Sequence, residues 1–395
     1  MSSFDQPLPL ANLTRANSAR ATTALGAGPA ADDSAAVTGF GAGDFHDRWE
    51  QSRQIADLGE AALGDLLAML QADDQDWEAR WFAARALGDF DRPEVIAALV
   101  KTFATTTDED LRQAVAAALT QIGPAAIAAL GQQLAQPALR PVAVQALARI
   151  HHPATVPLLL EVLEDGRSPV RATALDALGT FADPVTLPVM QRGLNDPSAA
   201  VRSAAIRGLL SLRSTLDPAA LAGWLAPLLD DLNLAVAQQA AYALGRLPLA
   251  AATASLLSLL PDPMRALPNL NTPEALQIAA VQALTWQNTA LALDGLIHAW
   301  DALGEQPRLS LLQGLAALDP ALRVQAAPAL GSWLRTLPAI AAHSTLRRHL
   351  VLALGQLGSP DVALELQALL HDPDLGVQIH AEAALRQLQP QPTRA

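Results

Sequence analysis

Asp165–Gly179 reads DGRSPVRATALDALG, and 31 residues further on Asp196–Leu210 reads DPSAAVRSAAIRGLL. Each stretch begins with Asp and a turn-forming segment, passes through Val-Arg, and reaches a Leu, Leu178 or Leu209, that follows a small residue, Ala177 or Gly208. Ala174, Ala177 and Leu178 in one copy, and Ala205, Gly208 and Leu209 in the other, stand at i, i+3 and i+4. That spacing places them on one face of a helix. A face built of Ala and Gly is suited to close contact with a neighbouring helix.

The pattern extends in both directions. The anchor leucines are Leu87, Leu119, Leu147, Leu178, Leu209, Leu244, Leu284, Leu315, Leu354 and Leu385, at intervals of 32, 28, 31, 31, 35, 40, 31, 39 and 31 residues. Ala or Gly precedes every one of them. A second apolar segment lies upstream of each such helix, for instance Leu66–Leu70, Val156–Leu163, Leu225–Leu229 and Val362–Leu370. The unit is therefore a helical hairpin that cannot bury its apolar stripe alone, and stacking such units gives a continuous core. The expected fold is all-α: an α-solenoid, a right-handed superhelix of about ten hairpins spanning 47–388. A flexible arm is expected over 1–46, and a fraying tail over 389–395, where Pro390 and Pro392 stand. The wide intervals, including the Pro-rich Leu260–Asn271, are expected to form loops between helices, each with a mild bend.

Two further columns accompany the anchors. Arg stands seven residues before the anchor in Arg80, Arg112, Arg140, Arg171, Arg202, Arg308 and Arg347, and Asp thirteen before it in Asp74, Asp165, Asp196, Asp231 and Asp372. An Asp ahead of the second helix suits its free N–H groups, and the Arg can pair with the Asp of its own or the next repeat. A structural ladder outweighs an anion-binding stripe as the reading of these arginines.

Composition narrows the chemistry. The 395 residues carry 26 basic and 39 acidic side chains, a net charge of −13, and Lys101 is the single lysine. Nucleic acid is a poor fit for such a chain, because backbone binding needs a basic stripe. Cys is absent, which removes thiolate metal sites and cysteine nucleophiles. No Gly-Lys-Ser/Thr triplet supports a P-loop. No uninterrupted apolar run reaches the roughly 18 residues of a membrane span, and Met1–Ala11 lacks a secretion signal, so a cytoplasmic protein without membrane insertion is expected.

The Asp-turn, Val-Arg, Ala-Ala-x-Ala-Leu-Gly pattern resembles HEAT repeats, in particular the short HEAT-like units of the phycobilisome lyase type. Asp165–Gly179 and Asp196–Leu210 are the clearest copies, with weaker ones at Asp74–Gly88, Asp231–Gly245 and Asp372–Arg386. The resemblance covers roughly Trp49–Leu388 and speaks to fold more than to function. HEAT-type deoxyhypusine hydroxylases carry His-Glu pairs for two irons, and no histidine here is followed by Glu. HEAT-like DNA glycosylases use a basic face, which this charge balance does not supply.

Candidate contact residues follow from the columns. Trp77, Arg80, Trp81, Phe82 and Arg85 fall within nine residues of the first clear repeat, in a chain with 15 aromatics in all. Phe82 and Arg85, five and two before the anchor, are expected on an exposed face together with Arg207, Tyr242, His349 and His380 in equivalent positions. Two readings of the Trp77–Arg85 cluster stand side by side: a cap over the end of the array, or a contact for a partner, since aromatics and Arg are the common hot-spot types. His349 and His380 share one register on successive repeats, but no carboxylate stands at matching positions, so no metal site is expected. No catalytic residue and no cofactor are expected either.

The expected function is a non-catalytic protein-binding scaffold or adaptor whose concave face, made by the second helices, holds a protein partner. The resemblance implies phycobiliproteins or other antenna components as that partner. The alternative is a bilin lyase or isomerase subunit of the E/F type, paired with another HEAT-repeat protein, which delivers an open-chain tetrapyrrole to a cysteine of its substrate. Arg80, Trp81, Phe82 and Arg85 would then grip propionates and pack on the rings.

Overall fold

The computed structural model describes residues 59–72, 77–261, 272–337, 344–358 and 363–388. The expected arm over 1–46, the tail over 389–395 and most of the Pro-rich insertion lie outside them. Helices account for the regular structure of the described residues, and they alternate as the repeat requires. The chain divides into two compact units, residues 1–87 and 88–395.

In the first unit one hairpin is described, α1 (Leu63–Gln71) and α2 (Trp77–Leu87). Leu66, Leu70, Ala79, Phe82, Ala83 and Leu87 form its buried face. In the second unit the hairpins run α3 (Pro93–Thr105) with α4 (Glu109–Ile122), α5 (Ile127–Gln133) with α6 (Arg140–Ile150), and α7 (Val156–Glu161) with α8 (Ser168–Thr180). They continue with α9 (Leu187–Gly193) and α10 (Ala199–Ser211), α11 (Pro218–Leu225) and α12 (Leu234–Gly245), and α13 (Ala250–Leu257) and α14 (Glu274–Gln287). The last three are α15 (Ala290–Ala299) with α16 (Glu305–Leu315), α17 (Pro320–Thr336) with α18 (Ser344–Leu357), and α19 (Ala363–Ala368) with α20 (Leu375–Leu388). This is an all-α solenoid of stacked hairpins.

In the second unit each second helix packs on the next second helix, and the anchor leucines from Leu119 to Leu354 are fully buried. Glycines set how closely these helices approach. A Cβ at Gly179 would lie 2.8 Å from the Cα of Gly208, and one at Gly245 would lie 2.7 Å from the Cα of Ala283. Backbone therefore meets backbone at α8–α10 and at α12–α14. The repeats also share an exit turn. Gly123, His151, Ala182, Asn288 and Gly358 all have positive φ and all stand four residues after an anchor, where the chain leaves the second helix in the left-handed conformation.

The Asp and Arg columns form a ladder between repeats rather than within one. Arg171 donates to both carboxylate oxygens of Asp196 at 2.9 and 2.8 Å, and Arg202 to those of Asp231 at 2.6 and 2.7 Å. Arg140 pairs with Asp165, and Arg347 with Asp372. The same guanidinium groups donate backwards to a carbonyl six residues earlier, Leu134, Asp165 or Asp196, tying down the turn of their own hairpin. Each Asp accepts the N–H two residues later, at Arg167, Ser198, Asn233 or Asp374. The ladder Asp thus shapes the turn before the helix, whereas the N-cap position falls to Arg167, Ser198 and Asn233.

One expectation needs correction. Of the 39 residues between Leu315 and Leu354, 17 belong to α17, a first helix longer than its counterparts α5, α7 and α9, so the extra length is largely helix and not loop. Pro328 lies inside it, and Val324, whose carbonyl Pro328 cannot satisfy, faces solvent. Glu109–Gln133 has a mean hydropathy of 1.6 in an 18-residue window, long and apolar enough to cross a bilayer. Gly123, with φ of 80°, divides that stretch into α4 and α5 of consecutive hairpins.

Candidate functional site

The ladder arginines are engaged inside the solenoid, so they do not form an open anion stripe. Arg167 and Arg140 hold the carboxyl of Asp165 well below the usual carboxylate range, against the opposing effect of burial. Burial pushes Asp196 upward, but Arg171 and the N–H of Ser198 together pull it below its ordinary value. Arg202 does the same to Asp231. Arg308 has no Asp of the column beside it among the described residues. It donates to the carbonyls of Trp300 and Asp301, lies 5.1 Å over the Trp300 ring, and burial depresses its pKa. Trp300 in turn stacks on Trp333 with centroids 3.9 Å apart, an aromatic plug in the core of the long repeat. A cleft of about 470 Å³ opens beside Asp165, Arg171, Arg192 and Asp196. Its charges are already paired, Arg171 with Asp196, Arg192 with Glu164, and Asp165 with Arg140 and Arg167, which leaves no convergent free group for a ligand among the described residues.

The sequence-predicted residues of the first unit separate into two sets. Phe82 is buried, 1% exposed, and does not reach an outer face. The reason is geometric. A second helix in a stack touches neighbours over most of its circumference, and the register five before the anchor turns towards them. In the second unit that same register is buried at Ala114, Val142, Ala204, Ala279 and Ser310. Arg80 donates its Nε–H to the carbonyl of Leu70 at 3.1 Å, as a ladder arginine does. Arg85 is exposed and lies 4.9 Å over the ring of Trp81, whose indole meets Phe82 edge-on at 5.0 Å. Trp77 is half exposed. What faces outward on α2 is thus a Trp81–Arg85 platform beside Trp77.

In the second unit, the register two before the anchor is the outward one. Arg207 reaches Asp176 on α8 with both oxygens at 2.7 Å, an exposed pair that bridges repeats. Tyr242 on α12 donates its hydroxyl to Gln282 Oε1 on α14 at 3.1 Å. Its ring lies 5.3 Å from that of Trp286, tilted by 33°. Trp286 is 53% exposed, and the column reading missed it because it stands two residues after the anchor Leu284. The discoverable signal was a lone aromatic at a register that in every other repeat holds a small, polar or charged residue, such as Thr180, Ser211, Arg246 or Ala317. His349 and His380 are half-buried, and His349 Nδ1 lies 2.8 Å from the carbonyl of Thr345 in its own helix. Among the described residues no group of three potential metal ligands occurs.

Family models match the repeats. The model described as HEAT repeats matches residues 63–138 and 127–210, and the one described as PBS lyase HEAT-like repeat matches 346–372. The chain is a HEAT-repeat protein. No curated protein matches it. Among solved structures it is similar to Kap121p bound to Nup53p, at 15% identity and a TM-score of 0.59, over 89% of this chain and 45% of that one. It is also similar to Kap95p in a complex with RanGDP, at 12% identity and a TM-score of 0.54, over 90% and 55%. CpcE–CpcF of phycocyanin lyase from Nostoc sp. PCC7120 shares 22% identity over 61% of this chain and 94% of that one, with a TM-score of 0.33. The likenesses to Kap121p and Kap95p are those of a shared helical solenoid fold.

Proposed function

We propose that this protein is a non-catalytic scaffold or adaptor that holds a protein partner on the face of its second helices, the face expected to be concave. The observation that carries the reading is the contrast between the Asp–Arg columns and the aromatics. The ladder charges are spent on holding repeats together, whereas Tyr242, Trp286 and the Trp81–Arg85 platform face outward with no structural neighbour covering them fully. Trp, Tyr and Arg are the side chains that dominate binding energy at protein interfaces. A rigid stack presents them without ordering cost on its own side. The karyopherin structures of similar fold are themselves complexes with Nup53p and RanGDP.

A photo-cross-linking residue at Gln313 on the second-helix face, compared with one at the exposed Leu291 on α15, tests this in extracts of the source cell. Protein adducts concentrated at Gln313 are expected. Equal labelling at both positions, or none at either, rules the reading out.

The match to a PBS lyase HEAT-like repeat over 346–372 favours one second reading, a bilin lyase or isomerase subunit working with another HEAT-repeat protein. Under it the Trp81–Arg85 platform, rather than Phe82 or Arg80, would meet the tetrapyrrole. Purified protein mixed with bilin should then shift the visible band and pass the pigment to an apo-phycobiliprotein. An unchanged spectrum without transfer removes this reading.

A further inference from the structure

We propose that Tyr242, Arg246 and Trp286 form a recognition point for a short polypeptide segment in which one or two carboxylates stand beside an aromatic residue or proline. The inference rests on the scaffold reading and names the partner chemistry of one part of that face.

Trp286 and Arg246 occupy the same register, two residues past the anchor, on the adjacent helices α14 and α12. The next repeat has Ala317 there, so the register flanks the Trp286 position with a cation on one side and a small residue on the other. Tyr242 packs against Trp286 and is itself fixed by its hydrogen bond to Gln282. The two rings therefore make a held apolar ledge, and half of the indole remains open to solvent. A flat side chain, aromatic or proline, is what such a ledge accepts with least loss of freedom.

Arg246 gives the charge. It is exposed at the C-terminal end of α12 and has no salt-bridge partner among the described residues, in contrast to Arg171, Arg202 and Arg207. Proximity to the helix C-terminus favours a cation there, but that effect does not account for an exposed Trp beside it. A planar guanidinium next to an apolar ledge matches a carboxylate next to a flat side chain. Gln282 and the exposed Gln313, both two residues before their anchors, continue the neutral surface with amide groups suited to a peptide backbone. The net charge of −13 limits the number of carboxylates. A long acidic run would be repelled by the rest of the chain, so one or two acidic residues are specified.

A random 12-residue peptide library displayed on phage, selected on the full-length protein, reads this out directly. Enriched sequences should carry Asp or Glu within two positions of Phe, Tyr, Trp or Pro. Synthetic versions should bind Trp286→Ala at least tenfold more weakly. Arg246→Glu should reverse the charge preference towards Lys or Arg, and Arg246→Lys should keep it. Both sites are on the surface, and circular dichroism melts confirm folding. Tyr242→Phe, which keeps the ring, should bind within a few-fold of wild type. No enrichment, enrichment without acidic residues, or binding indifferent to both Trp286→Ala and Arg246→Glu overturns the proposal. Hydrogen exchange of the bound protein then separates the two levels. Peptides that ignore this point yet protect other second helices leave the scaffold reading standing, whereas protection confined to first helices removes both.

Discussion

Adding one methyl group at Gly245 should lower stability, whereas the same change at Gly223 should raise it. Both glycines lie in helices, where replacing Gly by Ala ordinarily gains about 1 kcal/mol through the unfolded chain and the exposed backbone. At Gly223 in α11 nothing lies within 4 Å of the new Cβ, so the full gain of ~1 kcal/mol is expected. At Gly245 the new Cβ would lie 2.7 Å from the Cα of Ala283, 2.8 Å from its Cβ and 2.9 Å from its carbonyl oxygen. Ordinary carbon contacts are about 3.5–4.0 Å, so α12 and α14 must part by roughly 1 Å. Overpacking of that kind costs ~1–3 kcal/mol. The movement also strains the hydrogen bonds that the buried Gln287 donates to the carbonyls of Leu244 and Leu247 at 3.2 and 3.0 Å. A loss of about 1 kcal/mol for a weakened buried hydrogen bond is in order. The expected net is a destabilisation of about 2 kcal/mol for Gly245→Ala, opposite in sign to Gly223→Ala. Because repeat arrays unfold in parts, hydrogen exchange of α12 and α14 should accompany urea denaturation. Equal or greater protection in Gly245→Ala than in wild type would refute the claim that glycine sets this helix approach.

Three further predictions follow from particular contacts. The carboxyls of Asp165, Asp196 and Asp231 are held below their ordinary carboxylate range by the arginines beside them. Their stabilisation is therefore fully present above the unfolded carboxylate pKa near 4 and is lost as pH falls through the folded values. Thermal melts should be nearly flat from pH 8 to 5 and fall below pH 4, and Asp231→Asn should show a shallower acid slope. Breaking the Arg202–Asp231 pair from one side leaves a charge uncompensated at 5–15% exposure. Arg202→Ala should thus cost about 3 kcal/mol, whereas Arg207→Ala, in an exposed pair, should cost less than about 1 kcal/mol in the same denaturation assay. Ala182 holds φ of 47°, a strain of roughly 1 kcal/mol for a residue with a Cβ. Ala182→Gly should accordingly stabilise by about 0.5–1 kcal/mol, and an unchanged or lower melting temperature would contradict that account.

The repeat was legible because its period is carried by small residues that have no other reason to recur. Leu anchors preceded by Ala or Gly mark where one helix meets the next, and the turn column that includes His151, Ala182 and Asn288 keeps the same offset from them. Phe82 was misplaced because helical periodicity ranks faces by distance from a single anchor. A solenoid helix has neighbours on several sides, and its second contact face looks like an exposed one until the stack is known. Arg80 keeps the ladder role that its register implies, but its partner, the turn carbonyl of Leu70, is one that only the hairpin brings within reach. Trp286 went unnoticed because its neighbour Tyr242 is 44 residues away in sequence, across a repeat interval stretched to 40.

The amino-acid sequence by itself determined that the chain stacks helical hairpins, which residues glue them, and that an Asp–Arg ladder accompanies the stack. All of these are local patterns held at fixed offsets from each anchor leucine, and the physics of a helix face reads them directly. The tertiary structure decided which repeat each arginine serves, how closely neighbouring helices approach at Gly179 and Gly245, and that Tyr242 and Trp286 share one ledge. Those outcomes depend on the rotation and rise from one hairpin to the next, a quantity that no single repeat contains.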